Sequence, residues 1–561
     1  MPFRGIIETA SRSHDTREGA GLWMKSDSDW RVSADNSLLR RGTVAWMHDA
    51  ETWFERSFER LPETIRVNPL RNDSDSVEAW LRSVGAEPMK WYRGPGSSWV
   101  MPFERGGAEG EVRKLLISLH ETGRLTRQEA VSMIPVMALD PKAGEAVLDM
   151  CASPGSKTSQ IAEFMDGMGV LIANERSRKR CNLLVANIQR HRSRVTIVSN
   201  HDGRHIPYLS GEEGYDAILV DAPCTGSGTT RKNPEVWRQW KPSGGLGLHS
   251  MQVGLLNRAV DLLKPGGRVV YSTCSLDPVE NEAVISQILQ KRGDVRLIDC
   301  SDKIEGVSIQ EGLRSWVPTD DNMQPLEGIP WAHPPSEEIS GELDKCIRVR
   351  GHMMDAGGFF LATIEKNHVQ TEDVLEDISE VRFPEDSVQA SQPLCEGDRL
   401  AFENEFGSCD KPLWRRGKRI AIGTERMLDI WSKRTTVSNG KASVDGRRWR
   451  PMNIVHVGCE ISEIRSGRPS RIIEDGAHLA REIALDRIVK IGDEDFEKLL
   501  FGEALETDCI PPDKTEIRGG WLVSSESNPE PLPVWIGGKI TAMVSKHEQT
   551  CRVGLRRLEK V

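Results

Sequence analysis

No stretch of the 561 residues holds the roughly 18 consecutive apolar residues that a membrane-spanning helix needs. The N-terminal residues, "MPFRGIIETASRSHDTREG", hold no apolar segment of the export type. Eleven cysteines lie between Cys151 and Cys551, yet none forms a C-x-x-C pair. An odd, scattered set argues against a disulfide framework and a structural zinc site, and points to a reducing compartment. No internal repeat is evident. An excess of positive charge is also missing: the net charge is −10. What the chain does have is 38% hydrophobic residues, enough to build cores, over a length that calls for roughly two to four domains.

Charge distribution says more than the total. The stretch "RSRKRCNLLVANIQRHRSR" (176–194) carries seven Arg/Lys and no acid, and residues 411–450 carry twelve Arg/Lys against three acids. Each run alone reads equally well as a solvated face. Together they favour a polyanionic partner.

Residues 1–44 are polar with little periodicity and read as a partly ordered extension. "VAWMHDAETWFERSFERL" (44–61) spaces its apolar residues three and four apart, predicting one helix. The following residues read as strand, turn and helix of a small α/β module. "LTRQEAVSMIPVMALDP" predicts a helix capped by Thr126 and ending near Pro135. From Ala146, five apolar stretches ("AVLDMCA", "GVLIANE", "VTIVSN", "DAILVDA", "GRVVYST") alternate with helical ones. That alternation predicts a parallel, doubly wound α/β sheet. "CIRVRGHMMDAGGFFLATIEK" predicts a closing β-hairpin. The acidic "QTEDVLEDISEVRFPED" reads as a linker, and residues 396–561 as a separate, mostly-β domain.

The first strand runs into "LDMCASPGSKTSQ", a strand, a turn and a helix N-terminus suited to an anionic group. The Gly-x-Gly-x-x-Gly fingerprint is missing; Gly155 alone remains. An adenosine cofactor other than a dinucleotide is therefore favoured. Glu175 follows the second strand, where an acid can hold ribose hydroxyls. Asp202 follows the third, placed for an adenine amine, and Asp221 follows the fourth. Cys224 and Cys274 follow the fourth and fifth. If those strands are neighbours, both thiols face one pocket. A thiolate is a strong nucleophile, and its addition to C6 of cytosine makes C5 nucleophilic. Each cysteine alone reads as a small buried apolar residue.

The stretches "RQEAVSMIP" (127–135), "VLDMCASPGSKT" (147–158), "ANERSRKRC" (173–181), "NHDG" (200–203), "DAPCTGSGTTRKNPEVW" (221–237), "GGRVVYSTCSLDPVENEAVI" (266–285) and "GGFFLATI" (357–364) resemble, in order, the Nop/Sun family of S-adenosylmethionine-dependent RNA cytosine-5 methyltransferases. The resemblance is closest to the branch that modifies tRNA at several cytosines. It implies a Rossmann-like methyltransferase core over 140–367, an RRM-like module with helices over 45–139, an acidic linker over 368–395 and a PUA-like RNA-binding domain over 396–561. It implies S-adenosyl-L-methionine contacts from Cys151, Ala152, Ser153, Pro154, Gly155, Ser156, Lys157, Glu175, Asp202 and Asp221. Cys274 is implied as the nucleophile, Cys224 as the thiol aiding product release, and Asp221 and Lys157 as further catalytic residues. Ser153 stands where the family has Ala, and Glu175 where it has Asp. "KPSGGLGLHSMQ" is richer in Gly than expected before the following helix. The expected partner is tRNA, with rRNA or mRNA, or a non-catalytic RNA-binding relic, as alternatives. A monomer in the cytoplasm is expected, the nucleus being the alternative suggested by "RRGKR" (415–419).

Overall fold

The computed structural model describes residues 27–209, 214–368, 391–432, 452–511, 517–528 and 530–559. Its centre is the expected doubly wound sheet. Strands β1 (Ala146–Asp149), β2 (Val170–Asn174), β3 (Thr196–Ser199), β4 (Tyr215–Asp221) and β5 (Leu263–Thr273) run parallel in the order 3-2-1-4-5. Strand β6 (Phe359–Lys366) adds antiparallel to β5, and Ile347–Val349 adds antiparallel to β6, forming the predicted hairpin. Helices α1 (Ser156–Phe164), α2 (Arg178–His191), α3 (Pro242–Leu262) and α4 (Glu282–Lys291) cover the faces. The strands are apolar without alternation because both faces are covered; Val147, Leu148, Ile172, Ile218 and Val269 are all fully buried. The order reverses between β1 and β4, so their carboxyl ends open the crevice where such sheets bind ligands.

Local details depart from the sequence reading. Two helices (Asp27–Asp35 and Leu38–Trp46) occupy the end of the 1–44 stretch expected as a partly ordered polar extension; residues 1–26 lie outside the described part. The reason is tertiary: Ala34, Leu39 and Trp46 dock on Val236, Trp237 and Trp240. The single helix predicted over 44–61 breaks at Met47–Asp49, and a second helix covers Ala50–Arg56. The break lets Asp49 pair with Arg350 and accept from His352 at 2.9 Å. Thr126 sits in a short strand (Leu125–Arg127), and Pro135 opens the helix Ile134–Leu139 instead of ending one. Proline suits a first helical turn because no N–H is needed there. The glycines of "KPSGGLGLHSMQ" lie inside α3. A Cβ on Gly245 would come within 2.6 Å of Asp277 Oδ2, so helix and loop approach more closely than a side chain permits.

An N-terminal sheet orders Glu87–Pro88, Ser98–Glu104, Pro62–Val67 and Leu125–Arg127. Its fully buried Arg66 donates from Nε to Glu163 Oε2 of α1 at 2.6 Å. The C-terminal residues form two further sheets, one of five strands and one of four. They do not pack as a detached unit starting at residue 396. Strand β7 (Ile454–Val457) pairs antiparallel with β3, covering an edge whose polar backbone would otherwise be unpaired. The final helix, Lys546–Glu559, places Cys551 and Leu555 in the core of the N-terminal sheet beside Ile65, Trp80 and Leu115. Most of the expected acidic linker, 369–390, lies outside the described residues, as do 433–450 of the second basic run.

Candidate active site

β4 and β5 are neighbours, and Asp221 lies opposite Ser272. Each strand ends in a loop carrying a half-buried thiol, and Cys224 Sγ lies 3.2 Å from Cys274 Sγ. The contact to Cys274 and burial both push the Cys224 thiol well up. Either sulfur can donate to the other across this contact.

Asp221 is held at both oxygens. Ser272 Oγ donates to Oδ1 at 2.9 Å, and Lys157 Nζ donates to Oδ2 at 2.8 Å. Lys157 also donates to Ser132 Oγ at 2.9 Å, and its ammonium lies 5.5 Å from the ring centre of Phe359. Burial disfavours the ammonium, but the Asp221 carboxylate outweighs it, so Lys157 sits above its ordinary value and stays charged. A fixed cation–carboxylate pair thus stands beside two sulfurs at the crevice.

The loop expected to hold the cofactor follows β1. Gly155 caps α1 at φ +115°, a conformation costly for any other residue, and a Cβ there would meet Leu184 Cδ1 at 3.0 Å. No side chain caps the start of α1. Cys151, Ser156 and Lys157 are half-buried, Ala152, Ser153 and Gly155 are buried, and Pro154 is exposed. Beneath the loop, Asp149 Oδ2 accepts from Thr158 Oγ1 at 2.7 Å, while its buried Oδ1 has no partner. Burial pushes this carboxyl up to about 7. Glu175 is 5% exposed. Its Oε1 accepts the Ser177 N–H at 2.6 Å; the Arg180 guanidinium approaches Oε2 at 3.7 Å.

Asp202 follows β3 and is engaged by Arg204. Arg204 donates to Oδ1 from its backbone N–H (3.1 Å) and Nε (3.0 Å), and to Oδ2 from Nη2 (2.7 Å). These bonds hold the carboxyl down at about 2 and engage both oxygens. The first basic run divides in two. Arg176, Arg178, Lys179 and Arg180 are exposed at the start of α2, near the cofactor loop. Arg192 and Arg194 instead pair with Glu474 and Glu482 of the C-terminal region.

Ser132, Ser272 and Glu280 escaped the sequence reading. All three lie inside quoted motifs, but local periodicity gives no sign of what they touch. Among the described residues, no cluster of three His, Cys, Asp or Glu side chains suits a metal ion, and no helix is long and apolar enough to cross a membrane.

The chain thus carries two thiols, a charged lysine and a carboxylate at the crevice of a doubly wound α/β core. The family model "16S rRNA methyltransferase RsmB/F" matches residues 136–327. A "tRNA (cytosine(49)-C(5))-methyltransferase" of Pyrococcus abyssi is 34% identical, over 57% of this chain and 93% of that protein. The chain belongs to this RsmB/F (Nop/Sun) methyltransferase family. A "Multisite-specific tRNA:(cytosine-C(5))-methyltransferase" of Saccharomyces cerevisiae is 40% identical over 48% of this chain, but the match spans only 42% of that relative. Among solved structures, a methyltransferase homolog protein from Pyrococcus horikoshii aligns at a TM-score of 0.46 and 30% identity, covering 61% of this chain and 99% of that one.

Proposed function

We propose that this chain transfers a methyl group from S-adenosylmethionine to C5 of cytosine in tRNA. The observation that carries the reading is the pair of sulfurs at adjacent strand ends, 3.2 Å apart, beside the Lys157–Asp221 pair. The named activities of the relatives support it.

The residues present fit the cofactor. The uncapped start of α1 suits its carboxylate, Glu175 Oε2 suits ribose hydroxyls, and the orphaned Asp149 Oδ1 marks a polar position under the same loop. Asp202 Oδ2, which accepts one bond from Arg204, keeps acceptor capacity for an adenine amine. Bound there, S-adenosylmethionine supplies an electrophilic methyl group on a sulfonium.

The chain's own residues then act on the base. Cys274 adds as thiolate to C6. A bond forms from sulfur to C6, and the C5=C6 electron pair becomes available at C5. Asp221 accepts from the exocyclic amine of cytosine, and Lys157 fixes that carboxylate and offsets its charge. Once Cys274 is a thioether and C5 has gained the methyl group, the C5 proton must leave before Cys274 can. Cys224 can then release its proton to solvent, take the C5 proton as thiolate and so expel Cys274. The ring regains its C5=C6 bond, and both sulfurs return to their starting states.

Denaturing gels with cytosine-containing RNA test this division of roles. Cys224→Ala is expected to retain a covalent RNA band that needs Cys274. Cys274→Ala and the double variant are expected to show neither band nor product. A band in Cys274→Ala but not in Cys224→Ala would reverse the roles. Bisulfite sequencing of tRNA and rRNA from a deletion strain tests the substrate: loss of methylation in rRNA alone overturns tRNA.

A further inference from the structure

We infer that Glu280 is a positioning residue that joins the two cysteine loops and sets the distance between their sulfurs. The inference rests on the two-thiol reading above, and its test reads thiol geometry without RNA.

Glu280 is fully buried just before α4. Its carboxylate grips the residue after each cysteine. Oε1 accepts the Thr225 N–H at 2.9 Å and Gln252 Nε2 at 3.1 Å. Oε2 accepts both the Thr225 and the Ser275 hydroxyls. Thr225 follows Cys224, and Ser275 follows Cys274. One carboxylate therefore bridges two loops fifty residues apart in sequence. Bonds to an ionised acceptor are shorter and stronger than neutral ones.

The segment bearing Glu280 is itself fixed. Tyr271 OH donates to the Glu280 carbonyl at 2.6 Å. Asn281 donates to the Ser275 carbonyl at 2.9 Å and accepts from Thr273 Oγ1 at 2.7 Å. On the far side of the Cys224 loop, Ser227 Oγ meets Ser275 Oγ at 3.0 Å and the Gly228 N–H donates to the Cys274 carbonyl at 2.9 Å. These bonds hold residues 227 and 228, whereas Glu280 holds Thr225, next to the sulfur. Truncating Glu280 frees that near end while the rest of the loop stays anchored. A shift of about 1 Å at reacting atoms can cost on the order of 100-fold in rate.

The readout is the equilibrium of the Cys224–Cys274 disulfide in the full-length protein, set by reduced and oxidised glutathione and located by peptide mapping. Wild type is expected to form the bond, because the sulfurs already touch. Glu280→Ala is expected to lower its equilibrium constant by about tenfold or more. Glu280→Gln keeps one acceptor oxygen and the side-chain length, so it should stay within about threefold of wild type. Thr225→Val removes one hydroxyl bond and should fall between them, which keeps the test decisive if Glu280→Ala does not fold. With RNA, Glu280→Ala should lose kcat while KM and cofactor binding hold. An unchanged disulfide equilibrium in Glu280→Ala or Thr225→Val would overturn the inference, even with turnover lost. Failure of wild type to methylate RNA would overturn the functional reading and leave the disulfide comparison intact.

Discussion

Arg124 donates through both terminal nitrogens to Glu548, at 2.6 and 2.9 Å, joining residues 424 apart in sequence. Arg124 also donates to Asp73 at 2.5 Å, and Glu548 accepts from Arg552 at 2.8 Å. The charges lie inside the seam between the N-terminal sheet and the final helix. Breaking one partner leaves a buried, uncompensated charge.

Glu548→Ala is therefore expected to destabilise the protein by about 3–5 kcal/mol, measured by denaturant unfolding. Deleting residues 396–561 should do more than weaken RNA binding: it removes Cys551 and Leu555 from the N-terminal core and β7 from the β3 edge. Amide exchange in Pro62–Val67 should rise in the truncated chain. A truncated chain with unchanged exchange there would show that the seam is dispensable.

Glu175→Ala and Asp221→Ala should fail differently. Loss of Glu175 removes a buried acceptor for ribose hydroxyls and should weaken cofactor binding by roughly 1–3 kcal/mol, read by calorimetry. Loss of Asp221 frees Lys157 and the Ser272 hydroxyl and should lower single-turnover rate more than cofactor affinity. Equal affinity losses with unchanged turnover in both would contradict this assignment.

Asp277 links stability to pH. Burial, then the Glu280 charge, push its carboxyl up to about 8; Glu282 adds to this, while the Val279 N–H and Arg348 oppose it. The folded value exceeds the ordinary one, about 4, so the fold prefers the protonated acid. Its contribution is complete below about pH 4 and is lost as pH rises through about 8. Asp277→Asn should flatten that fall, on the order of a few kcal/mol, in unfolding midpoints taken from pH 5 to pH 9. Parallel curves for variant and wild type would count against it.

Gly245→Ala should destabilise by about 1–3 kcal/mol, because the added methyl overpacks against a fixed neighbour. The neighbour is Asp277 Oδ2, at 2.6 Å from the new Cβ. Gly247→Ala, where a Cβ meets nothing within 4 Å, is the control in the same helix. It should match wild type or exceed it, since alanine favours helix.

The sequence alone determined the five parallel strands, the helices between them and the placing of Cys224, Cys274 and Asp221 at strand ends. Those features are written locally: buried parallel strands are apolar throughout, turns carry Gly and Pro, and polar residues return where a strand leaves the core. Tertiary structure decided the rest. The helix at 44–61 breaks so that Asp49 can reach Arg350 and His352. Arg204, two residues along, engages both oxygens of Asp202, a contact that position alone does not reveal. The last helix completes the first sheet, and a strand from the C-terminal region completes the central one. Glu280, one acid among 84, becomes the joint between the cysteine loops because folding brings Thr225 and Ser275 to its two oxygens. A buried charge must be met by whatever donors the packing supplies, and periodicity in one stretch of chain carries no record of partners contributed by another.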